Sequence, residues 1–331
     1  MFSTFSKRTN FLPTEITWEN WGSVFLKVDL WRPVVTRICE ATAVASAQCI
    51  EAGFPGSCAV FVVDKQVIVK LYPPLLARDF YRERAAYRLL TGRLPHLPRL
   101  LGEGFYPDQI DWPYLLLEFC EGIAIRDLFM ELKSDNRLLI ARELAAMLRV
   151  VHDTAVTNLH AFNSEPKTWA DFVNHRRTHV IAELRQKNFL SEAILVELAS
   201  FIEKSAVGSE QPVLLNADLT EDHLLLVQRD NQWLISALID WADVEVGAVE
   251  YEWIPLWFGL CQRDGAMFRE LMGAYDPNWQ LNEVFLDRVM AYTVLHRFGP
   301  AIMKHVWVID GRPLIANLNH LRQQLWGNLL S

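Results

Sequence analysis

The sequence has no long apolar run: the stretch Trp253 to Cys261 is interrupted by Pro255 and Gly259. It reaches only about half of the roughly 20 residues that a bilayer-crossing helix needs, so no membrane span is expected. Cysteine is scarce. Cys39, Cys49, Cys58, Cys120 and Cys261 are scattered, odd in number and form no CxxC pair, which argues against a disulfide framework, a zinc site or a redox pair and reads as reduced, cytoplasmic thiols. Positive charge is in deficit, with 32 Lys and Arg against 40 Asp and Glu and a net charge of −8. Such a surface has no general attraction for nucleic acid or anionic lipid, so neither is expected as a partner. Lys7 and Arg8 are followed by polar residues and Pro13 rather than an apolar segment, so no export signal is expected. There is no internal repeat or low-complexity tract. The GxxxxGK[ST], HExxH, GxSxG and GxGxxG motifs are also missing, which removes the usual support for P-loop, zincin, hydrolase and Rossmann readings.

What is present is an ordinary folded composition, 331 residues with 51% apolar and 22% charged, long enough for two lobes or one large domain. Residues 14–50 have Trp18, Trp21, Val24, Phe25 and Val28 on one helical face, which predicts helix. Ala59–Val63 and Val67–Tyr72, separated by Asp64, Lys65 and Gln66, predict a hairpin. A helix is expected over Ala77–Leu90 and a buried strand over Tyr114–Phe119. From Asp127 the pattern turns helical, with helices expected over Leu138–His152, Trp169–Gln186, Ser191–Lys204, Gly265–Tyr275 and Leu281–Lys304. One strand-rich interruption is expected, from Val213–Asn216, Leu224–Val227 and Trp233–Ile239.

The informative segment runs from Leu214 through Asp218 to His223 and across the hairpin to Asp240-Trp241. Apolar runs that end abruptly in Asp218 and Asp240 are costly in a core unless the carboxylates are paired, metal-bound or open to a cleft. With His223 they offer one base and two metal ligands, the set that phosphoryl transfer from ATP requires. Transfer also needs a cation for the phosphates. Lys70 closes the apolar strand Val67-Ile68-Val69, wants a carboxylate such as Glu83 on the next helix, and shares its strand face with Ile68, which is placed to cover a purine.

As a set, these residues make the chain resemble the aminoglycoside phosphotransferase and choline kinase family, small-molecule kinases with a protein-kinase-like fold, over roughly residues 45–260. Asn216-Ala217-Asp218 through His223 resembles the family's HGDxxxxN segment, and Ile239-Asp240-Trp241 its second motif. The resemblance implies an α+β, two-lobed fold with an antiparallel-sheet nucleotide lobe over residues 1–117 and a helical acceptor lobe over 118–331. It implies Asp218 as catalytic base, Asp240 as chief metal ligand with His223 beside it, and Lys70–Glu83 as the ion pair of the nucleotide lobe. It also implies that the loop Gly53-Phe54-Pro55-Gly56-Ser57 lies over the phosphates, and that the Glu118 carbonyl and Cys120 N–H meet the adenine edge. ATP or GTP with Mg²⁺ or Mn²⁺ would then be the cofactors and a small-molecule hydroxyl the acceptor.

Asn216 and His223 depart from the family's His and Asn, which keeps open a pseudokinase that binds a nucleotide or partner without transfer. A protein kinase is disfavoured because no segment after Asp240 resembles an activation loop. Asp243, Glu245, Glu250 and Glu252 would suit a cationic, amine-bearing acceptor. His175, Arg176 and Arg177 read as a solvated helix face, and His152 as a packing or capping residue.

Overall fold

The structure is a computed structural model that describes residues 5, 8–54, 56–158, 161–162, 168–208 and 211–330. It divides into two compact units, Met1–Gly122 with Ser236–Asp243, and Ile123–Ile235 with Val244–Ser331. The first is built on an antiparallel sheet and the second is mainly helical.

In the first unit α1 (Trp18–Trp21) and α2 (Val28–Thr42) precede β1 (Ile50–Ala52), β2 (Ala59–Val63) and β3 (Val67–Leu71). Then come α3 (Ala77–Leu90), β4 (Leu100–Pro107) and β5 (Asp111–Glu118), and the sheet order is β1-β2-β3-β5-β4. Asp64 and Lys65 both adopt φ of 52° and lead into Gln66, whose N–H donates to Val63 O at 2.9 Å, a left-handed pair within the three-residue connection that pairs Val63 with Val67. The period of two sends Phe61, Val63, Val67, Val69 and Leu71 into one core with Trp31, Val34 and Ile38 of α2. Ile68 and Lys70 therefore lie on the other face. The continuous helix expected over 14–50 is broken between α1 and α2. The break lets the buried Trp31 indole donate to the Val24 carbonyl at 3.0 Å, while Trp21 donates to Ser57 O at 2.7 Å. Trp18, read as part of the packing face, is 63% exposed.

In the second unit β6 (Ile123–Ala124) and α4 (Ile125–Leu128) lead into α5 (Ser134–His152), α6 (Trp169–Lys187) and α7 (Glu192–Lys204). Next are β7 (Val213–Leu215), β8 (Leu224–Arg229), β9 (Gln232–Leu238), whose last three residues pass into the first unit, and β10 (Glu245–Gly247). β7 pairs with β10 rather than with its sequence neighbour β8, and β6, β8 and β9 form a separate sheet. The chain continues through α8 (Val249–Pro255), a π-helical turn Leu256–Leu260, α9 (Gly265–Tyr275), α10 (Glu283–Leu295), α11 (Gly299–Ile309) and α12 (Leu318–Trp326). Thr168, Ser191, Asp264 and Asn282 cap α6, α7, α9 and α10 through side-chain oxygens, satisfying N–H groups that have no partner inside the helix.

The single helix expected over Leu281–Lys304 is interrupted at His296–Phe298. A Cβ on Gly299 would stand 2.2 Å from Thr293 O, so the fold-back depends on glycine there. In the basic stretch His175 is exposed as expected, but the two arginines are not solvated. Arg176 is buried, paired to both oxygens of Glu183 at 2.7 and 2.8 Å and bonded to Leu295 O at 3.1 Å. Arg177 binds the carbonyls of Ile202, Ser205 and Val207. Both arginines close helix and loop ends that would otherwise bury bare carbonyls. Among the described residues no helix is long and apolar enough to cross a membrane, and the five cysteines are free.

Candidate active site

In the first unit, Lys70 on β3 reaches Glu83 Oε2 on α3 at 2.8 Å and Asp240 Oδ1 at 3.1 Å. Three expected residues thus form one cluster. Burial would drive the Lys70 ammonium to lose its proton, but Asp240 and Glu83 outweigh it and hold its pKa well above the ordinary lysine value. Glu83 also accepts from the Tyr72 hydroxyl and, at 3.3 Å, from the Trp241 N–H, so α3 is tied both to the lysine and to the turn that carries Asp240. Asp240 sits at φ 58°, a left-handed conformation that aspartate tolerates better than most residues. Its Oδ1 accepts from Lys70 and, at 3.2 Å, from Ala242 N.

The other nucleotide candidates lie around the same sheet. Ile68 is half-buried on the Lys70 face. Gly53 N–H donates to Val60 O at 2.7 Å, and a Cβ there would meet Val60 Cγ1 at 2.6 Å, so this end of the loop lies against β2 only because residue 53 is glycine. Gly56 and Ser57 are exposed, and nothing lies within 4 Å of where a Cβ on Gly56 would stand; Pro55 lies outside the described residues. The Glu118 carboxylate is engaged by Arg99 at 3.0 and 3.1 Å, which leaves only its backbone to serve a base edge. Cys120 is half-buried, and burial pushes its thiol up to about 11, so it stays neutral at ordinary pH.

In the second unit the Asp218 loop is held from several directions. Asp218 N–H donates to Asn216 Oδ1 at 3.1 Å, and the Asp218 carbonyl accepts from Thr220 N at 2.8 Å and from His223 Nδ1 at 2.6 Å. His223 therefore clasps the loop through Nδ1–H, and Nε2 is the nitrogen it could offer a metal. Asn216 stands where the family places histidine, and its side chain supports the backbone of the proposed base. Between them Ala217 takes φ 64°, a position that favours glycine and costs an L-residue energy. Its N–H is bound by the fully buried Glu252 at 3.3 and 3.4 Å. Two fixed points thus brace a strained turn next to the acid.

Asp218 opens into a cavity of about 800 Å³. Its lining includes Arg126, Glu221, Arg263, His296, Phe298 and residues of the π-helical turn and α11. The acids expected to make an acceptor site do not line it. Glu245 pairs with Arg297 at 3.6 Å, Glu250 with Arg288 at 2.7 Å, and Glu252 is the buried clamp on Ala217. Asp243 packs with the first unit, where its carbonyl accepts from Arg82 at 2.8 Å. The carboxylates of Glu245, Glu250 and Glu252 are absorbed by arginines and backbone distant in sequence, which a linear reading could not reveal. Glu221 and His296 went unnoticed in the sequence. Glu221 follows the base by three residues and could have been suspected; His296 is 78 positions further along and gives no local signal. Its ring stacks on Tyr251 at 4.2 Å, and burial, reinforced by Arg297 and Arg176, holds its pKa well below the ordinary histidine value, so it is neutral.

The sequence model of the phosphotransferase enzyme family matches residues 53–281, and the chain belongs to that family: it is a small-molecule kinase. Solved structures of similar fold include the GDP complex of wild-type aminoglycoside 2'-phosphotransferase-IIIa, at 14% identity and TM-score 0.64, covering 90% of this chain and 96% of that one. The streptomycin–ATP ternary complex of APH(2")-IIa has 16% identity and TM-score 0.58, covering 83% and 89%. A putative aminoglycoside phosphotransferase from Ralstonia eutropha has 12% identity and TM-score 0.57, covering 90% and 98%. No curated protein matches the sequence.

Proposed function

We propose that the protein transfers the γ-phosphoryl group of ATP or GTP to a hydroxyl of a small, amine-bearing molecule. The observation that carries this reading is Asp218, set on a braced loop of the family segment and opening into a cavity large enough for a small-molecule acceptor. The nucleotides named for the similar structures, GDP and ATP, and the streptomycin named in one of those complexes support a nucleotide and an amine-bearing small molecule as the two ligand classes.

In the proposed reaction the Asp218 carboxylate orients the acceptor hydroxyl and takes its proton as the new O–P bond forms. The bond from the γ-phosphorus to the β–γ bridging oxygen breaks, and the nucleoside diphosphate leaves with the electron pair. Lys70, kept charged by its two carboxylates, is the cation for the phosphate oxygens. Ile68 gives the base an apolar surface, the Gly53–Ser57 loop lies over the phosphates, and the Glu118 carbonyl and Cys120 N–H read the base edge. The Asp240 carboxylate, whose side chain is 38% exposed, is a donor that suits Mg²⁺, which binds through one or two carboxylates while keeping water and phosphate oxygens. When bound, that ion neutralises charge on the phosphates. His223 offers one nitrogen, a ligand type better matched to Mn²⁺. The test is transfer from γ-labelled ATP and GTP across amino sugars, amino alcohols and neutral sugars. Labelled product with an amine-bearing acceptor is expected; no labelled product with any acceptor would refute the reading.

A further inference from the structure

The cavity that receives the acceptor has a charge pattern of its own. Both arginines in its wall are already neutralised, Arg126 by Asp222 and Arg263 by both oxygens of Asp310 at 2.8 and 3.1 Å. His296 is neutral because it is buried. Glu221 is different: it lines the cavity half-buried, and its carboxylate makes no hydrogen bond or ion pair among the described residues. Its place is set by the helix behind it. A Cβ on Gly259, in the π-helical turn, would meet Glu221 Oε2 at 2.7 Å and Thr220 Cα at 3.2 Å, so the glycine lets the Glu221 carboxylate and the Thr220 backbone lie close against the turn. π-helical turns inside longer helices gather at functional sites.

Besides the polar Thr220, Gln262 and His305, the rest of the lining is mainly apolar, with Pro255, Phe258, Phe298, Ile302, Val306 and Ile309. Phe298 is 41% and Ile309 56% exposed, an unusual outlay of apolar surface at one opening unless something apolar covers it. A polyamine needs several carboxylates, and here one unpartnered acid accompanies the base.

We infer that the acceptor is an amphipathic amino alcohol with one positive charge, its ammonium held by Glu221 and its apolar body by the wall that Phe258, Phe298 and Ile302 help to form. This rests on the kinase reading for the hydroxyl and extends it in substrate class, making Glu221 the residue that sets specificity. The ammonium and the reacting hydroxyl lie close together in such a molecule, as Glu221 and Asp218 do in sequence.

Calorimetric binding to the whole protein tests it without requiring transfer, using N-octylethanolamine, its neutral counterpart ethylene glycol monooctyl ether, ethanolamine and kanamycin. A charge-assisted hydrogen bond is worth roughly 1.5–3 kcal/mol, or about ten- to hundredfold in affinity. N-octylethanolamine should therefore bind the unaltered protein at least about tenfold tighter than the ether, and also tighter than ethanolamine or kanamycin. Glu221→Gln should remove the preference for the amine over the ether while leaving ether binding as it was. Equal binding of amine and ether by the unaltered protein, or tighter binding of kanamycin or ethanolamine, overturns the inference. Labelled ATP in the same mixtures reports separately on transfer. Binding in the expected order without product would count against the kinase reading alone, and product with kanamycin but not with N-octylethanolamine against the inference alone.

Discussion

Lys70 bridges two carboxylates, so its removal should be felt as a loss of stability before any effect on catalysis is measured. At an effective dielectric constant near 20, its gross attraction is about 6 kcal/mol to Glu83 at 2.8 Å and about 5 kcal/mol to Asp240 at 3.1 Å. The Asp240 side chain is 38% exposed and solvent cuts its share, whereas Glu83 is 1% exposed and receives no such relief. Desolvation of the lysine and of Glu83 offsets most of the remainder, so the pair as a whole adds little. Breaking it is another matter: Lys70→Met leaves the Glu83 carboxylate buried without its counter-charge, at a cost of about 3–5 kcal/mol. With a urea m-value of about 3 kcal/mol/M, the unfolding midpoint should fall by about 1 M or more in nucleotide-free protein. Glu83→Gln added to Lys70→Met removes the stranded charge but keeps an oxygen for Tyr72 and Trp241, so the double variant should recover a good part of the loss. A Lys70→Met midpoint close to the unaltered protein, or a double variant no more stable than the single, would refute the reasoning.

Two other outcomes follow from the second unit. His296 is held neutral in the fold with its pKa well below the ordinary value, so between pH 6.5 and that depressed value the unfolded chain binds a proton that the folded chain does not. Stability must then fall as pH drops below about 6.5, by up to about 1.4 kcal/mol per pH unit from this group. His296→Asn should flatten the dependence of the urea midpoint on pH between about 7 and 5, and an unchanged slope would contradict it. At Ala217, with φ 64° in a fully buried site, glycine relieves strain but loses a buried methyl and adds unfolded-chain entropy. These terms are each about 1 kcal/mol, so Ala217→Gly should be within about 1 kcal/mol of neutral. Ala217→Val should cost about 2–4 kcal/mol in chemical denaturation, since a β-branched residue resists the left-handed region and overpacks the site.

Much of the placement of the candidate residues was legible because it is local. The period of two on β3 put Lys70 beside Ile68, the α3 pattern from Ala77 to Leu90 holds at both ends, and Asp218 and Asp240 announced themselves as acids closing apolar runs. What escaped was tertiary. β4 went unread because Gly102 and Gly104 weaken any strand signal, yet a Cβ at 104 would stand 2.7 Å from the Tyr114 hydroxyl. The breaks after Trp21 and at His296–Phe298 serve buried indoles and a backbone fold-back that helical periodicity does not encode. The acids after Asp240 looked available because the arginines that take them, Arg288 and Arg297, lie some 40 residues or more away. Arg176 and Arg177 looked solvated because the carbonyls that bury them, Leu295 for one and Ile202, Ser205 and Val207 for the other, lie on other segments.

Whether Asp218 is the base of a phosphoryl transfer is tested most directly by the Asp218→Asn variant. Asparagine keeps the size and the Asn216, Thr220 and His223 contacts to the residue 218 backbone, but cannot take the acceptor proton. With labelled ATP and whichever acceptor the unaltered protein uses, kcat should fall by roughly 100-fold or more while the calorimetric Kd for ATP changes by less than about twofold. A variant that transfers phosphate at the unaltered rate would contradict the account.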